Sequence, residues 1–344
     1  QPLTFLLAGR WAKKIDRVIV LRIGVIFLAL FYLTVLIVGK NAPSFLLLLG
    51  SLLGIGYGFY WLAYNVLTFE ITEPETRDFF NGFFGALTSL GGMIGPMTAG
   101  FIISRMENFT GYTLVFGISL ALFSVAVIFS FSLKRRPAHG KYCFARILKE
   151  RQYSMNWRLI TNAHFFQGLR EGTFAFIISV FVYLSTGSEL SLGTFGLINS
   201  AVSFVSYYIV SRFLKEHMRK KGIFFGGLIL FLAIFIIIFD LSYAKLLIYA
   251  AVIAVAYPLL LVPYMSTTYD VIGKGWKAGE MRIEYIVVKE LFLNGGRAVS
   301  IVMFLIAVSF FDPAKTIPLL LIILGAGHML IYYFVRKVSI PTAP

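Results

Sequence analysis

Ten stretches of this chain are apolar for about the length that an α-helix needs to cross a bilayer, and nothing else limits its fold as strongly. The hydrocarbon core of a membrane is about 30 Å thick and takes about 20 helical residues to span. Runs of that kind lie at approximately 18–39, 44–68, 80–104, 112–133, 159–184, 190–213, 222–240, 245–266, 283–309 and 317–335. Inside hydrocarbon every backbone N–H and C=O must be paired within the protein, so only helices and closed barrels can span. Barrel strands alternate apolar and polar residues over about ten positions, and these runs neither alternate nor stop that early. Residues 1–8 (QPLTFLLA) read as the end of a further span. The sequence therefore specifies an all-α, multi-pass membrane protein.

Charge sets the topology. The chain carries 31 Lys and Arg against 16 Asp and Glu, a formal balance of +15. If the loops alternate sides, 23 basic residues fall on one side and only Lys40, Arg105, Lys245 and Lys315 on the other. By the positive-inside rule the richer side is cytoplasmic, which places both natural termini there. The basic excess thus reports orientation in a lipid bilayer, and a nucleic-acid partner is not implied. Only Arg22, Arg170, Lys289 and Arg297 remain within spans, and Arg22 is near enough to the cytoplasmic end to snorkel. A single cysteine, Cys143, excludes an internal disulfide and suggests no metal cluster; no cofactor is expected. Asn108 in NFT fits a glycosylation sequon, which has no meaning in a bacterial plasma membrane, the expected location.

The longest hydrophilic segment, 134–158, separates an N-terminal helical bundle at 1–133 from a C-terminal bundle at 159–344. Phe144, Ile147 and Leu148, with the charges between them, fit either a short helix on the membrane surface or a solvated linker. The halves are related by a repeat. GRWAKKIDR at 9–17 aligns with SRFLKEHMR at 211–219, pairing Arg10 with Arg212, Lys13 with Lys215 and Arg17 with Arg219 at an offset of 202; ETR at 75–77 aligns with EMR at 280–282 at an offset of 205. Carried back, this offset implies about 40 residues before Gln1, holding a first helix and most of a second, as expected for duplicated transporter halves.

The third of the ten runs contains NGFFGALTSLGGMIGPMTAG, with Gly82, Gly91, Gly95, Pro96, Ala99 and Gly100 at fixed spacing. Gly91 and Gly95 form a small-xxx-small face for close helix approach, and Pro96 removes a backbone hydrogen bond and permits bending. This spacing resembles the fifth-helix motif that the major facilitator superfamily associates with antiporters. GRWAKKIDR resembles that superfamily's loop between helices two and three. Gly9, Arg10 and Arg17 fit, but Lys13 stands where an acidic residue is usual and Asp16 where glycine is usual. The resemblance implies two six-helix bundles, the first helix and most of the second being absent from this chain.

It also implies that the first, fourth, seventh and tenth helices line a central cavity, here the missing helix and the runs 44–68, 159–184 and 245–266. The first of these carries Tyr57, Trp61, Tyr64 and Asn65 on one helical face, fitting either packing or a binding wall. Run 245–266 holds Tyr257, Pro258, Pro263 and Tyr264, whose prolines suggest a broken helix. Run 159–184 contains HFFQGLREGTFAF, in which His164, Gln167 and Glu171 share a face and Arg170 lies about 100° around. An ionisable residue at the centre of a bilayer costs about 2.5–3.5 kcal/mol on insertion scales and is kept there chiefly for function. Glu171 is accordingly a candidate for binding substrate or protons, the other reading being a structural ion pair; Arg170 would meet a neighbouring acid or reach the same water. Glu290, Asn294 and Arg297 share a face of run 283–309 and fit bundle contact or gating, with partners on other helices.

These features point to a monomeric secondary transporter of a small organic solute, a proton-coupled exporter working by alternating access. A proton-coupled importer and a non-transporting sensor on the same scaffold are the alternatives. An enzyme is not expected, since His139, His164, His217 and His328 form no HExxH pair and there is no GxSxG elbow; nothing suggests a channel filter.

Overall fold

The computed structural model describes residues 2–107, 109–134, 141–239 and 241–339. Asn108 and the linker residues 135–140 lie outside the described residues. In chain order the helices are α1 (Pro2–Lys14), α2 (Arg17–Val38), α3 (Leu46–Ile71), α4 (Arg77–Arg105), α5 (Thr110–Ser130), α6 (Phe144–Tyr153), α7 (Met155–Thr186), α8 (Glu189–Phe213), α9 (Arg219–Leu232), α10 (Phe235–Ile238), α11 (Tyr243–Gly273), α12 (Ala278–Phe310), α13 (Pro313–Gly325) and α14 (Gly327–Val335). Among the described residues there is no strand.

Nine helical stretches are long and apolar enough to cross a membrane, and the first, Arg17–Ile71, has 55 residues. At 1.5 Å per residue that is roughly 80 Å, far more than one bilayer. It holds two spans, α2 and α3, joined through the 3-10 turn Gly39–Phe45. All ten apolar runs are thus helical, with α9 and α10 sharing one run and α13 and α14 another. Large apolar side chains stand out from the protein along these helices, among them Ile37 at 77%, Leu47 at 89% and Phe239 at 81% exposure, as lipid-facing positions require.

Local chemistry sets the ends. Asp16, Ser154, Ser188 and Ser242 precede α2, α7, α8 and α11, and each side chain accepts a first-turn N–H, which satisfies a donor the helix cannot. Gly187 closes α7 at φ 62°, a left-handed position that glycine takes without strain.

Two expectations are corrected. α11 runs unbroken through Pro258 and Pro263. Each proline removes one N–H, and the Leu259 carbonyl freed by Pro263 lies against Gly222 of α9, which has no side chain of its own to block it. In α4 a methyl at Gly91 or Gly95 would meet nothing within 4 Å among the described residues, so among them this pair makes no close helix contact. The contact belongs to the adjacent stripe, where Gly82, Gly85, Gly92 and Gly100 lie against Ser211, Tyr207, Ser200 and Glu189 of α8, and Gly193 and Gly196 of α8 receive Pro96. Successive residues diverge by about 100° on a helix, so a stripe read one residue off faces elsewhere.

The chain forms two compact units: Gln1–Ile71, Ile102–Lys149 and Trp276–Leu291 in one; Thr72–Phe101, Glu150–Gly275 and Phe292–Pro344 in the other. In the first, α2 and α3 approach closely, with Gly24 against the backbone of Tyr60 and Gly56 against Leu28. In the second, α4 packs on α8, and an apolar cluster that includes Phe174, Ile178, Val182, Leu246, Tyr249 and Leu324 joins α7, α11 and α13. α6 forms over the Phe144–Leu148 segment, with Ile147 fully buried. Arg151 of the same helix donates to Thr161 and Asn162 of α7.

Candidate functional site

The polar run of α7 lies in the second unit, and glycines determine what reaches it. Gly168 of α7 meets the Leu293 carbonyl of α12, Gly172 meets the Arg297 backbone, and Gly296 of α12 meets the Phe165 carbonyl. With no Cβ in the way the two backbones touch, and Thr173 Oγ1 and Ser300 Oγ join them at 2.7 Å. This approach brings Arg297 to Glu171.

Glu171 accepts from three side chains. Arg297 Nη2 is 2.6 Å from Oε2, Gln167 Nε2 is 2.8 Å from Oε1, and the Tyr257 hydroxyl of α11 is 3.2 Å from Oε1. The chain continues inward: Gln167 Oε1 lies 2.9 Å from His164 Nδ1, and His164 Nε2 lies 3.2 Å from Thr268 Oγ1. The Tyr264 ring packs on the imidazole, centroids 4.8 Å apart. Exposure rises along this line: His164 is fully buried, Gln167 is 5% exposed, and the Glu171 and Arg297 side chains are 15% and 33% exposed. His164, Gln167, Glu171, Tyr257, Tyr264 and Arg297 therefore form one cluster, with Asn294 beside Arg297 at 3.5 Å.

Arg170 is not part of it. No carboxylate pairs with it among the described residues, and it does not reach the surface: it is 6% exposed, its guanidinium lies 4.5 Å over the Phe174 ring, and the Tyr249 hydroxyl is within hydrogen-bonding reach. The physical reason is the turn of about 100° between residues 170 and 171, which aims Arg170 at α11 and α14.

The remaining candidates lie mostly in the first unit. Tyr57 and Trp61 are each 39% exposed, Trp61 and Tyr60 pack on Tyr64, and Asn65 donates to Glu290 at 3.0 Å, which Lys289 also meets at 2.8 Å. Gly9 sits against Val287 and the Tyr142 hydroxyl, Arg10 is exposed, and Asp16 is the cap of α2. Lys13 pairs with Glu284 of α12 at 3.0 Å, the two side chains 3% and 0% exposed, and also donates to the Glu280 carbonyl. The Cys143 N–H donates to the same carboxylate at 3.2 Å. Burial, and then the Glu284 charge, hold the Tyr142 phenol above its usual range.

Reading from the sequence missed the acids that receive the basic loops. Glu70 pairs with both Arg17 and Arg282 in the first unit. In the second, Asp270 pairs with Arg77 and Arg219, and Arg219 also meets Asp78. The aligned pairs Arg17/Arg219 and Arg77/Arg282 thus each contribute one arginine to each acid. Two acids at the ends of apolar runs, 200 residues apart, were the signal available in the sequence.

The family model described as Major Facilitator Superfamily matches residues 2–279. The chain is 62% identical to uncharacterized protein YqgE of Bacillus subtilis (strain 168) over 338 residues, 98% of this chain and 79% of that protein. Its fold resembles that of the human organic anion transporter MFSD10 (TETRAN), with a TM-score of 0.70 at 15% identity over 97% of this chain and 81% of that one. It also resembles the E. coli fucose:proton symporter FucP, with a TM-score of 0.68 at 15% identity over 98% and 88%.

Proposed function

The chain belongs to the major facilitator superfamily, and on that premise we propose that it is a secondary active transporter that exports a small organic solute in exchange for protons. The observation that carries this reading is Glu171: a partly exposed carboxylate within a membrane span, held by Arg297, Gln167 and Tyr257 from three helices. Protonating it removes the charge that holds Arg297. The same two groups then either bind each other or are available to a proton and a solute, which is the switch a coupled carrier needs.

Donor accounting along the buried chain supports a proton path. Thr268 donates its only hydroxyl proton to the Tyr264 carbonyl, so toward His164 it accepts. Gln167 gives its amide N–H to Glu171, so toward His164 its oxygen accepts. His164 thus links Thr268 to Gln167 through its two ring nitrogens, and since either nitrogen of an imidazole can give or take a proton, it is the proposed relay one glutamine away from Glu171.

The direction of transport rests on the resemblance of Gly82–Gly100 to the antiporter motif. Tyr57 and Trp61 are the proposed contacts for the solute in the first unit. The two bundles, 1–133 and 159–344, are the proposed bodies of alternating access, in a monomer set in a bacterial plasma membrane with its basic loops in the cytoplasm. The test is reconstitution into liposomes carrying an internal pH dye, challenged with a panel of organic cations, anions and neutral solutes. Solute-dependent proton flux, with the two moving in opposite directions, supports the reading. Co-directional flux replaces exporter by symporter, and solute binding without any flux points to the sensor.

A further inference from the structure

We propose that Arg170, His328 and Tyr249 form a binding site for a small monovalent anion, either a halide or the carboxylate of an organic solute. The site lies within the second unit, about 100° around α7 from Glu171. Arg170 carries a permanent charge, is 6% exposed, and has no carboxylate partner among the described residues; its Nε has no hydrogen-bond partner there. His328 of α14 is fully buried, and neither of its ring nitrogens has a partner. Two side chains more than nine-tenths buried thus hold two unsatisfied donors, the Arg170 Nε–H and one imidazole N–H of His328, although buried polar groups are nearly always paired.

The backbone is built to bring them together. Gly327 lets α14 press on α7, where a Cβ would lie 3.3 Å from the Arg170 Cβ and against the Phe166 carbonyl, and His328 of the same turn lies near enough for the Arg170 charge to act on it. Tyr249 of α11, 1% exposed, offers its hydroxyl to the guanidinium. Guanidinium N–H, imidazole N–H and phenol O–H are all donors, and the walls, Phe174 and Tyr249, belong to the apolar cluster of this unit.

Water can satisfy such donors, but it leaves the charge of Arg170 uncompensated in a medium of low dielectric. One anion of single charge satisfies both. The Phe174 face at 4.5 Å compensates the charge from one side only. The site touches the Glu171 cluster through Tyr257, whose hydroxyl donates to Glu171 and whose ring lies 5.9 Å from that of His328. This makes Tyr257 the partition between them. The inference goes beyond the transport reading and does not depend on a proton gradient.

The experiment uses the purified full chain in lipid nanodiscs, its melting followed by tryptophan fluorescence while chloride, acetate or benzoate is titrated at constant ionic strength against HEPES anion. The expected result is a saturable rise in melting temperature for the wild type. The half-saturating concentration is expected to rise at least tenfold in Tyr249→Phe and His328→Gln, and the response to vanish in Arg170→Met. Saturation by chloride supports an inorganic ion, and saturation by the carboxylates alone supports a solute headgroup. Absence of a saturable response to any of the three anions overturns the site, as does an unchanged response in Arg170→Met. If Arg170→Met does not fold, an unchanged half-saturating concentration in Tyr249→Phe overturns it. Binding is read without flux, so a protein that binds anions but moves no solute refutes only the transport reading.

Discussion

Replacing Lys13 by Gln strands the Glu284 carboxylate, and the size of the effect follows from burial. The two side chains are 3% and 0% exposed and 3.0 Å apart, and removing one partner of a buried pair costs about 3–5 kcal/mol. Glu284 keeps the Cys143 N–H, which does not neutralise it. In a conformation where both side chains reach water the pair contributes only about 0–1 kcal/mol. The substitution therefore shifts the balance toward such an open conformation by about 2–5 kcal/mol, roughly 30-fold to 4000-fold in population. The chain's single cysteine reports this directly, because its own N–H is held by Glu284. In purified protein the rate of maleimide labelling at Cys143 should rise at least tenfold in Lys13→Gln and in Glu284→Gln. It should rise by much less than the product of the two in the double variant, since two contacting groups do not act additively. Melting curves separate opening from unfolding. Unchanged labelling in both single variants, or fully multiplicative effects in the double variant, would refute the reasoning that the Lys13–Glu284 pair holds this segment closed.

The same cysteine tests orientation: an impermeant thiol reagent should label Cys143 in inside-out vesicles and leave it unlabelled in intact cells, and the reverse would overturn the charge-based topology. The corrected glycine stripe is tested by two substitutions in α4. Gly91→Ala should hold or raise the melting temperature, because alanine is favoured over glycine in a helix by about 1 kcal/mol and the added methyl meets nothing within 4 Å among the described residues. Gly100→Ala should lower it, by about 1–3 kcal/mol in stability, because the methyl would lie 2.7 Å from the Glu189 carbonyl of α8; equal melting temperatures for the two variants would contradict the assignment.

The spans were legible because hydropathy over about 20 residues is a strong signal with few alternatives in a bilayer. Glu171, His164 and Gln167 were legible because polar residues inside an apolar run are costly and their spacing puts them on one face. Their partners were not. Arg297 and Tyr257 sit 126 and 86 residues farther along the chain, and no local pattern encodes that pairing. It depends on Gly168, Gly172 and Gly296, whose function appears only when α7 and α12 are seen in contact. The direction of Arg170, about 100° around from Glu171, was legible, but its surroundings were not: the Phe174 ring and the Tyr249 hydroxyl, in place of an acid or water, follow from how α11 packs on α7. The two prolines of α11 read as a break, because whether a neighbouring helix leaves room for a freed carbonyl, as Gly222 does, is a property of the packed structure. Lys13 read as a departure from the family's loop pattern, and only its buried partner Glu284 gives it a role.

The most direct test of proton coupling at Glu171 compares two assays on Glu171→Gln in proteoliposomes. One follows proton-gradient-driven movement of a solute taken from the panel, and the other follows exchange of labelled for unlabelled solute with no gradient. Gln keeps the size of the side chain and can still bond Tyr257 and Gln167, but it cannot take up a proton. The predicted result is exchange retained and gradient-driven movement abolished, in protein whose melting temperature shows that it remains folded. Gradient-driven movement at the wild-type rate in that variant would contradict a coupling role for Glu171.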